Sequence, residues 1–170
     1  MADNIHPFKG VSPTIHDSVF LAPTATVIGD VEIGEGTNIW FGCLVRGDMN
    51  VIRIGKRVNI QDLTVVHVDS RKYGTFIGDD VTIGHSAVIH ACTLEDRCFV
   101  GMQACVMDGA VVETGAMVAA GALVTPGKRV RAGELWAGSP AKKWRDLTDR
   151  ERATLTDAAG HYVELAKGYL

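Results

Sequence analysis

What the 170-residue chain lacks narrows its class before any motif is read. No apolar run is long enough to cross a bilayer, because the longest, over residues 111–124, is broken by Glu113, Thr114 and glycines. The first residues, MADNIHPFKG, carry no basic stretch followed by an apolar one, so no export signal is expected and the cytoplasm is the expected location. Positive charge is not in excess: 17 Lys and Arg stand against 20 Asp and Glu, a net charge of −3. A nucleic-acid surface needs clustered cations to neutralise phosphate, so neither nucleic acid nor a membrane is an expected partner. Cysteine is scarce, and Cys43, Cys92, Cys98 and Cys105 form no CxxC pair or zinc-knuckle spacing. In a reducing compartment they are expected as small buried core residues. Hydrophobic residues make up 46% and charged residues 22%, which excludes a disordered tail and suits one compact domain with a core.

What is present is a repeat of six. Written from each aliphatic, the chain reads LAPTAT from Leu21, then VIGDVE, IGEGTN, IWFGCL and VRGDMN. It resumes as IGKRVN from Ile54 and IQDLTV, then as IGDDVT from Ile77, IGHSAV, IHACT, LEDRCF, VGMQAC, VMDGAV, VETGAM and VAAGAL. The first position is Leu, Val or Ile throughout, and the fifth is usually small or β-branched. A period of six is not the 3.6 of a helix; it means a short strand plus a turn, with one aliphatic inward per side of a prism. Three sides make a coil of about 18 residues, and coils stack about 4.8 Å apart.

The expected fold is therefore an all-β solenoid, a parallel β-helix over 15–130. Three extra residues lie between 45 and 54, five lie between 66 and 77, and one is missing between 89 and 94. Such insertions are expected as surface loops, often at a binding face. Residues 131–147 are expected as an irregular strap and 148–170 as a helix. Thr148 and Glu151 form a capping box there, and Leu155, Ala159, Tyr162, Ala166 and Tyr169 make one apolar stripe that packs back along the prism. Trp40 and Phe41 follow an inward Ile and are expected in interface or surface packing.

His67 and His90 are each second in their hexads, after Val66 and Ile89. They are 23 residues apart, and discounting the five-residue insertion leaves 18, one full coil. The two imidazoles are thus expected on one side, about 5 Å apart at the backbone, where both reach one metal ion at about 2.0–2.1 Å. His85 falls on a different side of the prism, and a rigid prism cannot easily turn it toward the other two. A neighbouring chain can supply it. The expected assembly is an oligomer with His67 and His90 from one subunit and His85 from the next, and a closed ring of three is the natural solution for heterologous contacts. Arg46 counts to one coil below His67, while Gln61 and Asp62 count to one coil below the hexad of His85.

The run VRGDMNVIRIGKRVNIQDLTVVH, with GHSAVIH after a loop and VGMQACVMDGA beyond, resembles the gamma-class carbonic anhydrase family, most of all its short bacterial members, over nearly the whole chain. The resemblance implies a left-handed parallel β-helix with a C-terminal α-helix packed alongside. It further implies a homotrimer with zinc, or in some members iron or cobalt, between subunits. Carried over by motif, His67, His85 and His90 would be the metal ligands. Gln61 would hydrogen-bond the metal-bound hydroxide or bicarbonate, and Asn59 would orient Gln61. Arg46 and Asp62 would pair across the seam, with Asp48 nearby, and Tyr162 would fall near the metal mouth. The implied reaction is reversible hydration of CO2 by metal-bound hydroxide, since three neutral imidazoles leave zinc its full charge and let its water ionise near neutral pH. An active member carries glutamates directly after its Arg-x-Asp segment and three residues past the first histidine. This chain has Met49 and Ser70 there, so slow turnover is expected for want of a proton shuttle.

Other classes compete. The hexads and the GSPAKKW strap also resemble acyltransferases that use an acyl-CoA donor, in which one histidine serves as general base and three need not converge. The same metal could hydrolyse another small carbonyl substrate such as a thioester. A metal-binding trimeric scaffold without catalysis is the third reading.

Overall fold

In the computed structural model, which describes residues 4–169, the hexads wind into a left-handed parallel β-helix with three flat sides. The inward aliphatics stack coil upon coil: Val45, Val66, Ile89, Val106 and Val124 are successive partners, each fully buried. Burying one such side chain is worth about 1.5–3 kcal/mol, which is why the period of six can drive the fold. The corners turn through the fourth hexad position at positive φ, with Leu63 at 63°, Ser86 at 59° and Gln103 at 59° along one edge. A non-glycine residue in that region costs about 1–2 kcal/mol. Neighbouring coils hold it there: the Ser86 amide donates to the Asp62 carbonyl and the Gln103 amide to the His85 carbonyl, each at 2.8 Å. The fifth position is small because it is buried behind the corner, as at Cys43, Thr64, Ala87, Ala104 and Ala122.

The first side runs through Asn38–Ile39, Asn59–Ile60 and Thr82–Ile83 and is covered by the helix Asp149–Lys167. The second holds Val65–His67, Val88–His90, Cys105–Val106 and Leu123–Val124, and the third holds Thr75–Ile77, Thr93–Leu94, Val111–Val112 and Arg129–Val130. The three-residue insertion expected as a loop is instead strand. Leu44–Ile54 runs unbroken around the corner from the second side to the third, and its register against Thr26–Ile33 shifts at the surplus. A bulge takes up extra residues while the ladder continues on both flanks. The five-residue insertion is a loop after His67. The expected irregular strap also differs: Glu134–Gly138 and Ala141–Asp146 form an antiparallel hairpin that adds the last two strands to the helix-covered sheet.

Thr148 caps the helix with the expected capping box, and Leu155, Ala159 and Ala166 are buried beneath it. Leu170, the expected end of the helical segment, lies outside the described residues. Trp40 is not at the surface: it is 5% exposed under the helix, its ring 5.9 Å from Tyr162 and 5.4 Å from Tyr169. Cys43, Cys92 and Cys98 are buried and Cys105 is half-buried, all as free thiols, and burial pushes the Cys43 thiol up to about 11. No described helix is long and apolar enough to cross a membrane.

Glu151 ties the helix start to the hairpin, accepting from both terminal nitrogens of Arg145 at 2.7 Å and from the Thr148 amide at 2.9 Å. The Arg145 bonds first, and then those from Thr148, hold its carboxyl far below the ordinary glutamate value of 4.5. The fold therefore favours the ionised form. That contribution is complete above pH 4.5 and fades as pH falls toward the folded value. Glu151→Gln should lower Tm at neutral pH, and the gap to wild type should narrow on acidification below about 4.5. A gap that stays constant down to about pH 2 would show that the ionised contact adds nothing.

Candidate metal centre

His67 and His90 close two adjacent strands of the second side and are direct partners in the ladder. Their ring centroids are 5.2 Å apart, and Nδ1 of His67 faces Nε2 of His90 at 3.2 Å. Two nitrogens of a tetrahedral zinc site with arms of about 2.0–2.1 Å lie about 3.3 Å apart. The pair is thus spaced as two ligands of one ion, on a rigid backbone.

Each of the three histidines carries an aspartate. Asp48 Oδ1 lies 3.1 Å from His67 Nε2, Asp62 Oδ2 lies 2.9 Å from His85 Nδ1, and Asp108 Oδ1 lies 2.5 Å from His90 Nδ1. Burial alone would push the Asp48 carboxyl up, but hydrogen bonds from His67 and Arg46 outweigh it and hold the group below the usual carboxylate range. A carboxylate on one imidazole nitrogen fixes the tautomer and frees the other nitrogen for a metal. Asp48 and Asp62 were expected near the site; Asp108 was not. It sits in the coil above His90, in the hexad VMDGAV.

His85 stands in the turn between Thr82–Ile83 of the first side and Val88–His90 of the second, at the corner opposite His90. The chain enters the second side at the His85 corner and leaves it at His90, so the strand Val88–His90 separates them. Gly84 just before His85 is required by packing, because a Cβ there would lie 2.6 Å from the Met102 backbone nitrogen. The His85 side chain is 44% exposed, against 16% for His67. Among the described residues of one chain, no three His, Cys, Asp or Glu side chains gather as a metal-ready group.

Arg46 occupies the coil below His67 and within the chain pairs with Asp48, while Asp62 pairs with His85 rather than with Arg46. Gln61, Asn59 and Asn38 form a buried amide ladder: Gln61 Nε2 donates to Asn59 Oδ1 at 2.9 Å, and Asn59 Nδ2 donates to Asn38 Oδ1 at 2.6 Å. Tyr162 packs its ring against Trp40, whose indole joins the foot of this ladder. Between the two histidine edges the outward positions form an apolar column of Leu44, Val65, Val88, Cys105 and Leu123. Val88 in the middle of the column is 38% exposed, and its four neighbours are half-buried.

The fold and this site define a hexapeptide-repeat β-helix with a histidine pair on one flank. Residues 12–47 match the family model described as bacterial transferase hexapeptide (six repeats). The chain is 53% identical over 161 residues to gamma carbonic anhydrase 2, mitochondrial, of Arabidopsis thaliana, covering 92% of this chain and 58% of that protein. It is 42% identical over 165 residues to a carbonic anhydrase of Geobacillus kaustophilus, covering 97% and 90%. A solved hexapeptide transferase family protein from Anaplasma phagocytophilum superposes over the whole of both chains with a TM-score of 0.96 at 49% identity. The chain spans about three fifths of the length of the plant relatives it matches. It belongs to the gamma carbonic anhydrase family, which implies a metal cofactor.

The donor set fits such a metal: imidazole nitrogens at ligand spacing, each backed by a carboxylate. Asp108→Asn should lower zinc affinity about 10–100-fold, measured by competition with a chromophoric chelator. Unchanged affinity would mean that His90 is oriented by packing alone.

Proposed function

We propose that the protein is a gamma-class carbonic anhydrase-like metalloenzyme, a homotrimer that reversibly hydrates CO2 to bicarbonate at its subunit seams. His67 and His90 of one subunit and His85 of the next would hold zinc, with iron or cobalt as alternatives. The free thiols agree with a reducing compartment such as the cytoplasm. The observation that carries the reading is the partly exposed apolar column of the second side. The helix covers the first side, and the third presents Glu32, Arg53 and Arg129 among its outward residues. The second offers an apolar column with a histidine edge on each flank. Packing such sides around a three-fold axis buries the column and closes one subunit's His85 edge onto its neighbour's His67–His90 edge.

Bound there, a divalent metal supplies Lewis acidity that lets a water ionise near neutral pH. The remaining work falls to the chain's own residues. Asp48, Asp62 and Asp108 hold the imidazoles in orientation. Asn59 holds Gln61, whose amide positions the substrate by hydrogen bonding. Arg46 keeps Asp48 ionised, and Tyr162 supports the ladder through Trp40. Proton export is the weak step. Met49 and Ser70 are exposed but cannot relay protons at neutral pH. Asp69 accepts first from the Arg71 amide and then from the Lys72 amide, which holds its carboxyl below the usual range. Such a group is poorly matched to shuttling near pH 7.

An acyl-CoA donor finds less support. A surface groove of about 560 Å³ on the third side sets Glu32, Glu95 and Asp96 against the single cation Arg53, which suits a poly-phosphate ligand badly.

His85→Ala should abolish metal binding as fully as His90→Ala. Random mixing of the two variants should restore metal and CO2-hydration activity at one seam of every mixed trimer, about a quarter of all seams in the population. No recovery on mixing would sink the shared site. Metal without turnover, even with added imidazole buffer, would favour the scaffold.

A further inference from the structure

We propose that Trp40 and Asn38 are positioning residues that set the polarity of the amide ladder, so that Gln61 presents its carbonyl oxygen to the site. The role of Gln61 in CO2 hydration rests on the function proposed above; the ladder does not. An indole N–H is a donor only. Trp40 Nε1 donates to Asn38 at 2.9 Å, so the atom it meets must be the oxygen Oδ1. The same Oδ1 receives Asn59 Nδ2, which turns the Asn59 oxygen toward Gln61 and makes Gln61 Nε2 the donor. Oε1 is then the open end of the chain. A long contact of 3.5 Å from Asn38 Nδ2 to the Gly36 carbonyl favours the same sense.

Reversing any one amide sets oxygen against oxygen or N–H against N–H. Asn38 and Asn59 are fully buried and Gln61 is 7% exposed, so water is poorly placed to repair such a mismatch. Trp40 is buried among other rings. Phe20 at 5.2 Å, Tyr162 at 5.9 Å and Tyr169 at 5.4 Å surround its ring, so the docked terminal segment fixes the donor that fixes the ladder.

The consequence is selectivity. An outward Oε1 accepts a hydrogen bond, and so favours ligands that carry an O–H, such as water or bicarbonate. It repels anions that carry none, such as nitrate. With the amide free to turn, its NH2 would attract those anions instead.

Trp40→Phe keeps a ring in the cluster and deletes the donor. In the metal-free protein, the Gln61 side-chain amide protons should exchange with solvent at least about tenfold faster, read by 15N-edited NMR. In the metal-loaded protein kcat/KM should fall about tenfold while nitrate inhibits about tenfold more tightly. General loosening would weaken both instead of moving them in opposite directions. Should Trp40→Phe fail to fold, Asn38→Leu leaves the ring cluster intact and should act in the same sense. Gln61 exchange and nitrate preference unchanged in the folded variant would overturn the proposal. A wild-type protein without CO2 hydration would overturn the functional reading, while amide exchange would still decide the ladder.

Discussion

Along the axis of this molecule a side chain does not choose its neighbours. The parallel ladder places each residue about 4.8 Å above its counterpart one coil earlier, and hydrogen bonds on three sides keep it there. His67 and His90 meet for that reason alone. The ladder sets the ring centroids 5.2 Å apart, and Nδ1 of one ring turned toward Nε2 of the other brings the nitrogens to 3.2 Å. A tetrahedral metal asks for nearly that value, so the pair is preorganised by backbone rather than by side-chain rearrangement. The same spacing sets Asn59 beside Asn38 and lets one amide hand its orientation to the next.

Rigidity has a matching cost. A side of the prism cannot fold its two edges together, so His85 and His90, five residues apart in sequence, stay on opposite flanks of one strand. On the proposed assembly, their closeness in the chain is the reason they would serve different seams. The strand between them contributes Val88 outward, to the apolar column that runs the length of that side.

Register was readable in the sequence because it depends only on the hexad count and on insertion lengths, and neither needs tertiary knowledge. Handedness was not, since inward and outward positions alternate identically in either hand; the family resemblance supplied it. The hairpin at 134–146 was missed because its antiparallel pairing lacks the aliphatic period that marks the coils. Trp40 was misplaced because hexad position alone says nothing of what the terminal helix covers. Asp108 escaped notice for a related reason. Counting followed the second position of each hexad, whereas the His90 ring reaches into the coil above, and the residue missing between 89 and 94 shifts what it finds there. An acid one coil beyond a candidate ligand was the available signal.

On the proposed assembly, the apolar column and the metal divide the work of association. Hydrophobic burial is non-directional, and a column that repeats at every coil would tolerate a neighbour slipped by one step along the axis. Such a slip of about 4.8 Å would carry His85 out of reach of a site whose bonds are about 2 Å long. The column therefore contributes affinity without register, and the metal contributes register. Linkage follows: whatever factor assembly adds to metal affinity, metal adds to assembly. The aspartates belong to the same account. His85 held by Asp62, and the His67–His90 pair held by Asp48 and Asp108, are ordered before subunits meet, so little side-chain entropy remains to be lost at the seam.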